Sequence, residues 1–305
     1  MKKTLVFLFL LIFFVVAQGC AKSTDSDGLT VVATLFPQYD FAVNIAGKCA
    51  DVDLLLDFGA DSHSFEPTPL DVISIAKADL FIYTGDSMEL WAAKLLSNPD
   101  IASAIASGTL TVLDLSESVD LIPLSGHSHT EYDTHIWTSP KNALKMCVSI
   151  CEAMAAIDAE NADTYRANLK AYTDRIIGVD AAFSDAVTKS ERREVYFGGS
   201  FAFTYLFDEY SLSHASVYEG CASHAEPSAL DISRVVEAAK ASGAKYILYD
   251  TEAEKKTAQI IANECGADLL RLHAVHNISR AEFDAGEDYI SLMQKNSEIL
   301  GKALN

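Results

Sequence analysis

A stretch of about thirty residues in the middle of the chain constrains the fold more than any other feature. From residue 158 to residue 187 it contains no proline and one glycine, Gly178. Apolar and aromatic side chains recur there at three- and four-residue spacings: Tyr165, Leu169, Tyr172, Ile176, Val179 and Phe183. This spacing predicts one amphipathic helix. At the rise per residue of an α-helix it would be roughly 45 Å long, which suits a rigid connection between two lobes.

Short apolar runs alternate with helical stretches on both sides of this segment. The predicted strands are residues 30–35, 52–58, 79–85 and 110–116 before it, and 194–199, 214–220, 245–250 and 268–275 after it. Strands of this buried type, separated by helices, predict an α/β fold with mainly parallel sheets. We expect an N-terminal lobe over 29–157, a linking helix over 158–190 and a C-terminal lobe over 191–305. A ligand is expected in the cleft, outside the carboxyl ends of the strands.

The N-terminus has the pattern of a secretory signal. Two lysines precede an apolar run from Leu5 to Ala17, which is shorter than a membrane span, and Gly19 and Cys20 follow it. A small residue directly before a cysteine predicts a lipoprotein whose signal peptide, residues 1–20, ends at a lipidated Cys20; simple cleavage is the alternative. Residues 21–28 would form a polar tether. The predicted location is the outer side of the cytoplasmic membrane, extracellular or periplasmic.

The formal net charge is −20. Such a chain would repel the phosphates of nucleic acids, and it lacks the basic face that binds anionic lipids. We therefore expect no nucleic-acid partner. An acidic surface is compatible with a cationic ligand.

Four of the eight histidines lie where predicted strands end or where a helix is about to begin. They are His63, His135, His273 and His276. Neutral imidazole is a common ligand for zinc and also suits other transition metals. A tetrahedral site needs about four donors, which imidazoles and a carboxylate from two lobes would provide. The alternative for each is a solvated or structural histidine.

The other histidines carry weaker predictions. His127 and His129 lie in a polar stretch that could capture metal loosely or be a plain surface loop. His214 begins a predicted strand and is expected to be structural. His224 is close to Glu226, and either of them could face the cleft.

Several segments resemble the cluster A-I solute-binding lipoproteins of zinc and manganese ABC transporters, the TroA-like and ZnuA-like proteins. They are "GADSHSFEPTPLDVISIAKADLFIYTG", "EYDTHIWTSPKNA", the long helix with "YRANL", "AEPSALDISRVVEAAKASGAKYILYD" and "YISLMQKNSEILGKALN". The resemblance implies two α/β lobes joined by a rigid backbone helix, with a metal ion between them. It also implies a monomeric binding protein that is not an enzyme and delivers the ion to an ABC permease in the membrane.

The resemblance assigns residues to the metal site one by one. His63 and His135 match the first and second histidine ligands of the family. The third position holds Ser200, a poor ligand for zinc. The fourth aligns with His273, and His276 follows in the same loop; either or both could coordinate. Glu226 or water could complete the set.

The residue types indicate which metal is bound. An imidazole-rich set favours zinc, with manganese or another divalent transition metal second. Two other functions stay open. A zinc-dependent hydrolase would need a general base, and Glu66 and Glu226 are the evident candidates; there is no H-E-x-x-H motif. A surface adhesin on the same fold is the third possibility.

Overall fold

The computed structural model describes residues 28–60, 64–124, 132–219 and 227–305. Within them, each lobe is built on a four-stranded parallel sheet. The N-terminal sheet has the order β2-β1-β3-β4, and its strands are β1 (Leu29–Ala33), β2 (Ala50–Leu54), β3 (Leu80–Tyr83) and β4 (Thr111–Asp114). The C-terminal sheet has the order β6-β5-β7-β8, and its strands are β5 (Glu194–Phe201), β6 (Ser213–Glu219), β7 (Tyr246–Tyr249) and β8 (Asp268–Arg271). The prediction of a two-lobed α/β fold is confirmed.

Helices connect the strands and join the two sheets. They are α1 (Phe36–Ala46), α2 (Pro69–Lys77), α3 (Ala92–Leu96), α4 (Pro99–Ser107), α5 (Pro140–Ile157), α6 (Ala162–Lys189), α7 (Thr204–Glu209), α8 (Ala229–Ser242), α9 (Lys255–Cys265), α10 (Arg280–Asp284) and α11 (Tyr289–Ala303). Several begin at a side-chain cap; Ser139, for example, accepts a hydrogen bond from the Asn142 amide at the start of α5. Among the described residues, no helix combines the length and apolar character needed to cross a bilayer.

Helix α6 is the long helix that the apolar spacing predicts. It begins at Ala162 rather than at residue 158, because α5 ends at Ile157 and a short turn follows. Its buried face carries the predicted aromatic and aliphatic residues, and it packs against α1, α5 and α11. Tyr172 Oη donates to Asp40 Oδ2 of α1 over 2.5 Å, and Tyr210 Oη of the C-terminal lobe donates to Asp180 Oδ1 over 2.6 Å. The helix therefore contacts both lobes.

Most strands are shorter than predicted, and β2 and β8 end four residues before their predicted bounds. Strand β2 ends at Leu54, although the apolar run continues, because Leu56 turns into the core and Phe58 stacks on Phe283 of the other lobe at 4.4 Å. Strand β8 ends at Arg271. Beyond it Val275 has φ = 62°, which is incompatible with a strand and strained for a β-branched residue. Apolar residues there are buried outside the sheet.

One apolar core is continuous between the lobes. It joins the central helices α1, α5, α6 and α11 to residues of both sheets, such as Val31 and Phe197. Trp137 is fully buried near its centre, where its Nε1 donates to Ala274 O over 2.7 Å and its carbonyl accepts from Tyr289 Oη over 2.7 Å. These contacts fix the loop after β8 against the loop before α5.

Candidate metal site

His135 is a buried histidine whose ring is held by a carboxylate. Its side chain is 2% exposed, and its Nδ1 lies 2.9 Å from Asp133 Oδ1. The backbone amide of His135 donates to the same oxygen over 2.9 Å. An ionised carboxylate accepts only, so the proton is on Nδ1 and the lone pair is on Nε2. This arrangement, in which a carboxylate fixes the tautomer of an imidazole, is typical of metal-binding histidines.

Asp133 is itself held by residues of the C-terminal lobe. Thr204 Oγ1, at the start of α7, donates to Asp133 Oδ2 over 2.7 Å, and Tyr205 Oη donates to Asp133 O over 2.7 Å. Burial alone would raise the pKa of Asp133. The interaction with His135 and the hydrogen bonds outweigh this, so its pKa lies below the ordinary value. Asp133 therefore stays a carboxylate.

His276 lies in the loop after β8, beside a second carboxylate. Its Nδ1 is 3.9 Å from Oδ2 of Asp250, the residue that directly follows β7. Asp250 is buried, and its Oδ1 accepts from the Ala274 amide over 2.9 Å. The carboxylate is thus fixed against the loop that carries His276. The pair repeats, more loosely, the arrangement of Asp133 and His135.

His273, three residues earlier, has a different environment. Its Nδ1 accepts a hydrogen bond from the Val275 amide over 2.9 Å, which places the ring proton on Nε2. Nε2 lies 3.7 Å from Glu282 Oε1, too far for a hydrogen bond. Glu282 Oε1 accepts from Arg271 Nη1 over 2.9 Å instead. Asn296 binds both the amide and the carbonyl of His273, over 2.9 and 2.7 Å. This geometry favours a role in shaping the loop.

Hydrogen bonds to backbone groups connect the segments around His135 and His276 and attach the end of the described chain before His63 to the second of them. Trp137, two residues after His135, donates to Ala274, two residues before His276. Asn277, directly after His276, donates through Nδ2 to Asp57 O over 2.9 Å and to Ala60 O over 2.8 Å. Gly59 N also donates to Ile278 O over 2.9 Å. Ala60 lies three residues before His63 in the sequence, so the described chain closest to His63 on this side is attached to the C-terminal lobe.

Ser200, at the predicted third ligand position, is in β5. Its amide donates to Glu254 Oε1 over 2.8 Å. A Cβ at the neighbouring Gly199 would be 2.3 Å from Glu254 Cδ, so a larger residue there would require the Glu254 side chain to move. Burial is the main cause that raises the pKa of Glu254. The Glu254 carboxylate thus lies against the backbone of β5 and binds it at Ser200.

Several predicted residues lie outside the described part of the chain: Cys20, His63, His127, His129, His224 and Glu226. Within residues 28–60, 64–124, 132–219 and 227–305, no group of three or more His, Cys, Asp or Glu side chains is placed to hold a metal ion. His214 lies in β6 with its ring stacked on Phe201, which agrees with the structural role expected for it.

The sequence interpretation did not identify three residues that support the site, namely Asp133, Asp250 and Asn277. The sequence positions of two of them could have indicated their role. Asp250 is the first residue beyond a predicted apolar strand, and Asp133 lies two residues before His135 in a segment already singled out. The position of Asn277 gave no such indication, because its partners are backbone carbonyls more than 200 positions away in the sequence.

Comparison with known proteins agrees with this architecture. A family model described as zinc-uptake complex component A, periplasmic, matches residues 31–303. The high-affinity zinc uptake system protein ZnuA of Bacillus subtilis is 31% identical over 309 aligned residues, which cover 95% of this chain and 94% of that protein. The zinc-binding lipoprotein AdcA of Streptococcus pneumoniae is 30% identical over 307 residues. The alignment covers 98% of this chain but only 60% of AdcA.

Solved structures show the same fold. The Zn(II)-bound ZnuA-like domain of Streptococcus pneumoniae AdcA superposes with a TM-score of 0.78 at 28% identity, covering 91% of this chain and 99% of that domain. The metal-dependent lipoprotein YcdH of Bacillus subtilis gives a TM-score of 0.78 at 31% identity, covering 90% and 99%. Both the resemblance seen in the sequence and the fold expected from it are thereby confirmed. The chain belongs to the zinc-uptake complex component A family.

Proposed function

We propose that this protein captures Zn²⁺ between its two lobes and delivers it to an ABC permease, without acting as an enzyme. The proposal rests on one pair of contacts. Asp133 holds the ring of His135, and Trp137, two residues later, donates a hydrogen bond to Ala274 in the loop that carries His276. Relatives named as zinc-binding and zinc-uptake proteins support it. Imidazole-rich coordination favours zinc, and manganese is the second candidate.

The proposed ligands are His63, His135 and His276. A water molecule, Glu226 or His224 completes the coordination. His273 supports the loop, because its Nδ1 lone pair is already used by the Val275 amide. Ser200 contributes through its backbone contact with Glu254 rather than as a ligand. His127 and His129 belong to a loop that could capture metal loosely.

The remaining features complete the proposal. The signal over residues 1–20 directs the chain across the membrane, Cys20 carries the lipid, and residues 21–28 tether a monomer to the outer face. The lobes divide at 29–157 and 191–305, with 158–190 as the link. A hydrolase would need a general base beside the metal, and Glu66, one of its two candidates, is exposed to solvent.

Two histidines three residues apart provide a matched test. In the soluble form that starts at Ala21, we expect His135→Ala and His276→Ala to weaken zinc binding by more than about 100-fold, beyond the range for supporting residues. His273→Asn keeps an acceptor for the Val275 amide, so its affinity should stay within about tenfold of the wild-type value. Competition with a chromophoric chelator measures all three affinities, for Zn²⁺ and Mn²⁺ in turn.

The outcomes distinguish a metal ligand from a residue that only supports the loop. Wild-type affinity in His135→Ala would reject the site. A large loss in His273→Asn combined with none in His276→Ala would exchange the roles of the two histidines.

A further inference from the structure

We infer that Thr204, on the C-terminal lobe, is a positioning residue for His135 on the N-terminal lobe and couples metal affinity to contact between the lobes. This inference rests on the proposed function, in which His135 is a ligand. The coupling passes through Asp133, which contacts both residues. Within the described structure, Thr204 forms no hydrogen bond to a residue proposed as a ligand.

The contacts form a short chain of hydrogen bonds. Thr204 Oγ1 donates to Asp133 Oδ2 over 2.7 Å, and Asp133 Oδ1 receives both the amide and the Nδ1 of His135 at 2.9 Å. Each carboxylate oxygen therefore has its own donors, and the carboxylate plane is fixed. The imidazole plane follows, because its Nδ1–H points at Oδ1. The direction of the Nε2 lone pair is consequently determined from the other lobe.

Burial makes the threonine hydroxyl important. Asp133 is 2% exposed, and Thr204 Oγ1 is the one side-chain donor to Oδ2 in the described part of the chain. Without it, a buried carboxylate oxygen would lack its partner, which is unfavourable. The carboxylate would then rotate toward other donors and release the His135 ring.

The coupling has a consequence for release of the ion. Thr204 and Tyr205 begin α7 of the C-terminal lobe, and Tyr205 Oη also binds Asp133 O over 2.7 Å. Any movement that separates α7 from the loop around Asp133 breaks both contacts and loosens His135. Separation of the lobes therefore lowers the affinity for the metal in two ways, by moving His276 away and by loosening His135.

The experiment compares threonine variants in the soluble form that starts at Ala21. Thr204→Val removes the hydroxyl but keeps the shape, and Thr204→Ser restores a hydroxyl. Thr30→Val is the matched control, because Thr30 Oγ1 also donates to an aspartate, Asp79 Oδ2, over 2.8 Å at the start of β1. The probes are Zn²⁺, for affinity and dissociation rate, and Co²⁺, whose visible absorption reports ligand geometry.

We expect Thr204→Val to weaken zinc binding by about 10- to 100-fold, mainly through faster dissociation, and to change the Co²⁺ spectrum. Thr204→Ser and Thr30→Val should resemble the wild type in both. Tyr205→Phe, which removes the second contact, should change affinity in the same direction and provides the answer if Thr204→Val does not fold.

Wild-type zinc dissociation and Co²⁺ spectra in both Thr204→Val and Tyr205→Phe would overturn the inference. An equal loss in Thr30→Val would do so as well, since it would show a general effect of stability. The proposed function fails separately, if His135→Ala binds zinc as tightly as the wild type. If His135→Ala loses zinc while Thr204→Val and Tyr205→Phe do not, only the coupling is wrong.

Discussion

Asn277 is the residue whose replacement tests most directly whether the lobes hold the metal-binding loops in place. Its Nδ2 donates to Asp57 O and Ala60 O, at the base of the loop that leads to His63, and its Oδ1 accepts from the Ile278 amide over 2.8 Å. The side chain is 7% exposed. Asn277→Ala therefore leaves two carbonyl groups of one lobe without the donor from the other.

The size of the effect follows from these contacts. Each lost hydrogen bond that leaves a largely buried partner unpaired costs on the order of 1–3 kcal/mol. Asp57 O still accepts from the Ala60 amide over 3.0 Å, so the Ala60 carbonyl and the Ile278 amide are the groups that lose a partner. With partial access to water, we expect the free energy of unfolding to fall by about 2–3 kcal/mol. Zinc affinity should fall about tenfold, the lower end for residues that orient ligands. Urea unfolding and chelator competition measure the two quantities.

A control and a second substitution make the test specific. Asn168→Ala removes a similar bond, from Asn168 Nδ2 to Ile45 O over 3.0 Å, and should lower stability without changing zinc affinity. Asn277→Asp places a carboxylate oxygen against the two carbonyls and should impair zinc binding more than Asn277→Ala. If Asn277→Asp binds zinc as the wild type does, the contact does not organise the site and the reasoning is refuted.

Two further predictions concern stability. Burial raises the pKa of Glu89 from 4.5 to about 7, against the opposing hydrogen bonds from Thr34, Thr84 and Gly85. Because the folded protein keeps this proton to a higher pH than the unfolded chain, stability should fall between those values as pH rises, by about 3 kcal/mol. Glu89→Gln should remove that decline in urea titrations at pH 4.5 and 8; an unchanged slope would contradict it. Trp137→Phe loses the bond to Ala274 O and should cost about 2–3 kcal/mol in urea unfolding, whereas a loss below about 0.5 kcal/mol would show that the carbonyl finds another donor.

The fold was largely predictable because its signals are local. Apolar runs such as residues 79–85 indicate strands buried on both faces, and β3 is indeed buried throughout. Tyr165, Tyr172 and Phe183 fall on one face of α6 because the helical period fixes their direction. Strand ends were less predictable. Val275 falls in a predicted strand, yet β8 ends at Arg271 and Val275 has a positive φ, an angle that residue type does not encode.

For the proposed metal site, the sequence indicates the residue types but not the role of each residue. Histidines near strand exits indicate imidazole coordination. The choice between His273 and His276, however, depends on where each ring nitrogen finds a partner. The Val275 amide occupies Nδ1 of His273, while Asp250 lies beside Nδ1 of His276. These partners come from a tight turn and from a neighbouring strand, and neither follows from spacing along the chain.

Ser200, a weak ligand, makes zinc affinity depend on the contacts that orient the proposed ligands and not only on the number of ligands. In the proposed site, serine at the third position leaves β5 without an imidazole, and the C-terminal lobe would act on the metal through the loop that carries His276. That loop is fixed by Asp250 and Asn277, and α7 fixes His135 through Asp133. The metal affinity of a site with fewer strong ligands depends more on how precisely each ligand is oriented. A lone pair that points away from the metal contributes much less coordination energy. In the proposed site, the contacts between the lobes therefore support the affinity that a histidine at position 200 would otherwise add to that of His63, His135 and His276.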